Sequence, residues 1–245
     1  MKFNNRTFLL LFLMVSYSWV ACKKDEERGP SEYAEESVLL PAVTEEADAV
    51  LVAIRDRVAV DITGTQDISA DLVTATFGKG SFTDVGDVKL NGKLLQKTSV
   101  NKYVNVIETL DYGLLPGVQN RWVTGAGGSF PEMNKVLGVK MPAKIVLKNV
   151  PASLSKTTGV SFDIESFPAN AQSVIWQIKD VKGVVVQKET TGNSVTFSPE
   201  ELSALSAAEN CLLKVAAYSL ESTTVNDRKY VFVNETTDAV YISVL

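Results

Sequence analysis

The sequence predicts an all-β protein made of two antiparallel β-sandwich domains, and three observations carry that prediction. From Asp48 onward apolar residues recur at every second position and not at helical spacing. Turn formers punctuate the chain at short intervals, with Asn91-Gly92 the clearest hairpin pair. The 245 residues, 45% hydrophobic and 22% charged, suffice for one large or two ordinary domains with a sizeable core.

The first domain is expected over residues 48–142. Val50, Val52, Ile54, Val58, Val60 and Ile62 fall on one face of an extended run, with Arg55, Arg57 and Asp61 on the other. "DLVTATF" continues the alternation through Val73, Ala75 and Phe77, and "DVKLNGKLLQK" reads as two strands around a tight turn. Shorter apolar stretches follow at "KYVNVI", "RWVTG" and "KVLGV" before Met141-Pro142 closes the unit. Residues 143–245 read more clearly as strands at "AKIVLKNV", "GVSFDIES", "SVIWQIKD", "GVVVQKET", "NSVTFS", "CLLKVAAYS", "KYVFVN" and "AVYISV". A hairpin turn is expected at "DVKG", residues 180–183. One helical turn is expected at "SPEELSAL", where Ser198, Pro199 and Glu201 form a capping box. The strand order of 143–245 resembles an immunoglobulin-like or fibronectin-type-III-like domain. Trp176 lies on the third strand, where such domains keep a core tryptophan, and Cys211 on the sixth. Phe162 or Ile164 faces Cys211, so the disulfide of antibody domains is absent, as is their tyrosine corner.

The amino terminus carries an address. Lys2 and Arg6 precede the apolar run "TFLLLFLMVSYSWVA", which has signal-peptide length and is too short to span a bilayer comfortably. Ala21 before Cys22 resembles the end of a bacterial lipobox, although Trp19 stands where Leu is usual. "CKKDEE" is similar to the export signal of surface-exposed lipoproteins in Bacteroidota. The resemblance implies a signal peptide over 1–21, a lipid on the Cys22 sulfur and an acidic tether over 22–47. The membrane is then a partner through Cys22, and the protein is placed on the outer membrane facing the cell exterior. A lipidated Cys22 cannot pair with Cys211, the only other cysteine.

Composition excludes several function classes. Removal of Lys2 and Arg6 with the signal leaves 22 basic residues against 29 acidic ones, a net charge of −7. No basic run exceeds Lys23-Lys24, so a nucleic-acid partner is not expected. The chain has no histidine, which removes Ser-His-Asp and Cys-His catalysis and His-ligated zinc. No cofactor or metal is expected. "GAGGSF" and "FGKGSF" lack the spacing of phosphate-binding loops. Asp84, Asp87 and Asn91 gather oxygen donors but read as turn formers. Glu108 with Asp111 is the weak remaining carboxylate pair for glycoside hydrolysis, while Glu200-Glu201 read as helix-terminal charges.

"ETLDYGLLPGVQNRW", residues 108–122, is the segment of functional interest. It reads as a Gly/Pro-broken connection presenting Asp111, Tyr112, Asn120, Arg121 and Trp122 as candidate ligand-binding residues. Aromatic rings beside amide, carboxylate and guanidinium groups suit a glycan. The same residues also suit a protein partner, or packing in the core or between domains. The function expected is a non-catalytic surface module that captures a glycan or a protein. Adhesion or assembly into a surface complex or fimbria is the alternative, and a carboxylate-dependent glycoside hydrolase the weakest one.

Overall fold

The computed structural model describes residues 39–59, 67–106 and 111–245. Cys22, the signal segment, most of the tether, Val60, Ile62 and Glu108 lie outside the described residues. The first lobe contains β1 (Ala49–Ala59), β2 (Asp67–Phe77), β3 (Val88–Leu90), β4 (Lys93–Leu94), β5 (Gln96–Lys97), β6 (Tyr103–Val104), β7 (Gln119–Thr124) and β8 (Met133–Lys140). The second contains β9 (Leu147–Lys148), β10 (Ser153–Leu154), β11 (Val160–Ile164), β12 (Ser173–Lys179), β13 (Val185–Thr190), β14 (Ser194–Phe197) and the single helical turn α1 (Pro199–Leu202). The last two strands, β15 (Ala208–Val225) and β16 (Arg228–Val244), serve both lobes.

Three sheets result. The largest runs β13-β12-β15-β16-β1-β2-β6-β5, with β10 also on β16; two smaller ones run β14-β11-β9 and β4-β3-β7-β8. The all-β fold expected from the alternation is what forms. In the second lobe β14-β11-β9 faces β13-β12-β15-β16. The lobe's first strand is split, β9 joining β11 and β10 running parallel to the end of β16. The second lobe is thus a two-layered β-sandwich. Trp176 and Cys211 are both fully buried in its core, and the Trp176 ring stacks on Phe162 at 6.3 Å.

The last two strands do not respect the boundary expected at 142/143. β15 and β16 pair in register from Cys211↔Ile242 to Val225↔Arg228 around an Asn226-Asp227 turn, with both turn residues at positive φ. Beyond the second lobe the same hairpin continues into the first, where β1 lies parallel to β16 from Ala49↔Tyr230 to Arg55↔Thr236. The two sandwiches therefore share one sheet.

What divides that sheet into two cores is the inward-facing series on β16. Tyr230 and Phe232 point into the first core, and Ile242 and Val244 into the second. Between them stand Asn234, Thr236 and Asp238, all buried. Asn234 accepts a 2.8 Å hydrogen bond from Asn120, and the Thr236 hydroxyl donates to the Pro142 carbonyl at 3.1 Å. From β15 the Ser219 hydroxyl donates to the Lys140 carbonyl at 2.7 Å. A polar waist thus grips the connection between the lobes through the Lys140 and Pro142 carbonyls.

Central strands here are apolar on both faces, as strands covered on both sides must be. Leu51 and Ala53 enter the first core, while Val52 and Ile54 join Ile175, Tyr218, Val231 and Val233 in a third cluster on the opposite face. Residues 39–47 cover that face. The tether expected over 22–47 is thus not free at its end: Leu39, Pro41, Thr44 and Ala47 are buried, and Ala42–Glu46 form a 3-10 turn. We call residues 39–47 the strap.

Local signals account for the remaining connections. Asn91 and Gly92 both sit at positive φ between β3 and β4, and Gly183 does so in the Asp180–Gly183 turn. In "GAGGSF" a Cβ on Gly127 would lie 1.9 Å from the Asp84 carbonyl oxygen, so this glycine is required by close approach of backbone. The capping box is present, with Ser198 accepting from the Glu201 amide at 3.3 Å and Glu201 from the Ser198 amide at 2.7 Å. Ser198→Ala is expected to cost about 1 kcal/mol, read as a shift in the denaturant midpoint without a change in slope.

Candidate functional site

The segment at 111–122 is where the sequence places binding residues, and the structure separates them. β7 alternates between exposed and buried residues, so Asn120, Trp122 and Thr124 point inward and Gln119 and Arg121 outward. Trp122 is fully buried in the first core beside Leu90 of β3, its cross-strand partner. Tyr112 is also fully buried; its backbone N–H donates to the Asp71 carboxylate at 2.7 Å and its hydroxyl to the Leu94 carbonyl at 3.2 Å. Only Asp111 and Arg121 remain exposed. An exposed Tyr112–Trp122 platform is therefore excluded: the two rings fill the space between β2 and the β3–β7 sheet.

Each polar member of the segment is already engaged. Asn91 donates to the Tyr112 carbonyl at 3.0 Å and to Asn120 at 2.9 Å, and accepts from the Arg121 amide at 2.9 Å. Asn120 passes the chain on to Asn234. The result is a line of three asparagines from the β3–β4 turn through the core to the waist. Asp111 accepts from the Gly113 amide at 2.8 Å, and Arg121 Nε donates to Asn134 at 2.9 Å. Burial pushes Asp71 above its ordinary value, opposed by the Leu114 and Tyr112 amides and by Arg55. Arg55 itself donates to the Leu114 carbonyl at 2.7 Å. These contacts fix a connection against the sheet.

The oxygen donors at 84–91 are committed in the same way. Lys97, the Gly86 amide and the Tyr103 hydroxyl hold the Asp84 carboxyl down to about 2. Asp87 pairs with Lys89 at 3.6 Å. Among the described residues no group of three His, Cys, Asp or Glu side chains is placed to hold a metal ion.

Two features escaped the sequence reading. The first is a cross-strand row on the outer face of the second lobe, exposed at its two ends and half-buried between them. Tyr241 on β16 pairs with Leu212 on β15, which pairs with Lys179 on β12, which pairs with Val185 on β13. Tyr241 is 66% and Val185 44% exposed, on a flat face whose β13 edge has no further strand among the described residues. The alternation in "AVYISV" contains this signal, since Tyr241 falls out of phase with the buried Ile242 and Val244.

The second lies under the strap. Glu235 on β16 is completely buried, yet neither carboxyl oxygen makes a hydrogen bond of normal geometry. Burial pushes it up to about 8; Asp56 adds to the rise, while Lys214 and the nearby Leu39 amide oppose it. Lys214 lies 3.9 Å from Asp56, and Asp56 also accepts from the Thr237 hydroxyl. One ammonium thus faces two carboxyl groups, and Asp56 already holds it. The polar run "NETTD" is the sequence signal for this cluster, although as a break between strands it reads more easily as a loop.

No protein-family model matches the chain, and no curated protein matches it in sequence.

Proposed function

We propose that this chain is a lipid-anchored surface protein of a Bacteroidota-type bacterium. Its work is to dock another protein through the outer face of its second lobe, and it is not a catalyst. The anchor reading rests on "WVACKKDEERG", in which a cysteine ends the apolar signal and a charged segment follows. The docking reading rests on Tyr241 and Val185, exposed at the two ends of a cross-strand row through the half-buried Leu212 and Lys179, beside the open edge of β13. Tyrosine rich in contact area and low in conformational entropy is enriched at protein interfaces. A bare sheet edge adds main-chain hydrogen bonds to whatever strand meets it. Burial of Tyr112 and Trp122 removes the platform on which capture of a glycan was to rest, and so favours the protein ligand.

Two measurements test this. Cys22→Ser is expected to move the protein from the membrane fraction to the soluble fraction of the cells. A photo-crosslinking amino acid at position 241 is expected to give one discrete protein adduct on intact cells. No adduct, together with retardation of the wild-type protein by a polysaccharide in native gels, would replace the protein ligand with a glycan.

A further inference from the structure

The strap is held differently at its two ends. Near β1 it is stitched by polar bonds. Lys79 donates to the Glu46 carbonyl at 2.9 Å and Lys229 Nζ to the Glu46 carboxylate at 3.2 Å; the Asp48 amide donates to the Lys229 carbonyl at 2.8 Å, and the Lys229 amide to the Asp48 carboxylate at 2.9 Å. At the other end Leu39 and Pro41 are simply buried, and Leu39 belongs to the apolar cluster of Ile54, Tyr218, Val231 and Val233. The Leu39 amide lies beside the Glu235 carboxyl, whose cross-strand partners on this face are Ile54 and Tyr218.

Among the described residues the charged groups facing Glu235 are few. β15 brings Lys214 and β1 brings Asp56, already paired with each other. The strap brings the Leu39 backbone amide, and its acidic side chains Glu45 and Glu46 are exposed. Tyr218 directs its hydroxyl to Glu189 on β13. A proton on Glu235 leaves the cavity neutral apart from one balanced ion pair. Losing it creates a second buried anion, opposed only by the Leu39 amide and by an ammonium already shared with Asp56, a state that water entry relieves.

We propose that residues 39–47 form a proton-gated clasp: the strap lies on the shared sheet while the Glu235 carboxyl is neutral, and its Leu39 end lifts as that carboxyl ionises. The polar stitches at Glu46 and Asp48 remain and act as the hinge. Lifting hydrates Glu235 and adds the freed residues to the tether behind them.

Linkage fixes the direction. The carboxyl titrates about 8 with the clasp shut and near its ordinary 4.5 with it open. The opening equilibrium therefore rises about tenfold per pH unit between 5 and 8 and levels off above that. Hydrogen exchange of the whole chain, followed by mass spectrometry at several pH values and corrected for the chemical exchange rate, reads it directly. Peptides covering residues 39–47 are expected to gain roughly 100-fold in opening between pH 5.5 and 7.5, while the β15–β16 hairpin stays protected. Glu235→Gln, which keeps the shape and cannot ionise, is expected to flatten that dependence. An unchanged slope in Glu235→Gln overturns the proposal, as does a pH-independent strap in the wild type. Should the variant not fold, the wild-type slope alone decides between the two.

Discussion

Trp122→Ala is expected to destabilise the first lobe by about 3–5 kcal/mol, the range for removing a buried indole. The ring is fully buried between β2 and the β3–β7 sheet, and no loop can move in to refill the space, because Tyr112 and Leu114 are pinned to Asp71. For a chain of this size such a loss lowers the melting temperature by roughly 10 °C. Trp122→Phe is expected to recover most of it, since the indole N–H makes no hydrogen bond and the benzene ring retains most of the contact. Thermal unfolding of the three proteins separates this from a binding role. A ligand site would leave the alanine variant as stable as the wild type.

Glu235→Gln is expected to stabilise the protein, and by more as the pH rises. In the unfolded chain the carboxyl loses its proton near 4.5, but in the folded protein only about 8. Between those values the folded state holds a proton that the unfolded state has released, so wild-type stability falls with rising pH across that window and levels off above it. The penalty is absent below about pH 4.5 and reaches on the order of 3 kcal/mol at pH 7. Glutamine has no proton to lose. The difference in melting temperature between the two proteins should therefore widen from pH 5 to pH 8; parallel profiles would show that Glu235 is ionised, or solvated, throughout.

The sequence made the regular features legible because each depends on a few neighbouring residues. The Asn91-Gly92 turn, the Ser198 capping box, the buried Trp176 and the inert Cys211 are all local matters of dihedral preference or strand phase. The candidate site failed for a reason also contained in strand geometry. Asn120, Arg121 and Trp122 were grouped as loop neighbours, but in a strand consecutive side chains point to opposite faces, so Arg121 cannot share a surface with the other two. The lobe boundary failed because "NETTD" breaks the apolar alternation without breaking the strand. Polar residues at the middle of β16 are satisfied by Asn120 and Pro142, more than 90 positions upstream, and no local pattern announces such partners. The same distance hid Glu235. Its burial is the work of the strap and of β1, not of its own neighbours.

The parallel pairing of β1 with β16 also sets an order of events in time. Asp48 and Lys229, which bond at the start of that pairing, are 181 positions apart. A chain synthesised from its amino end delivers β1 first and β16 last. The first lobe then cannot close when its own residues have emerged, because its missing strand has yet to be made. Until it arrives, β1 presents an apolar, unpaired edge, the kind of surface that recruits strands from other chains. Folding of both lobes is thus completed by a single late strand, and the interval before it arrives is when the chain is most open to pairing with others.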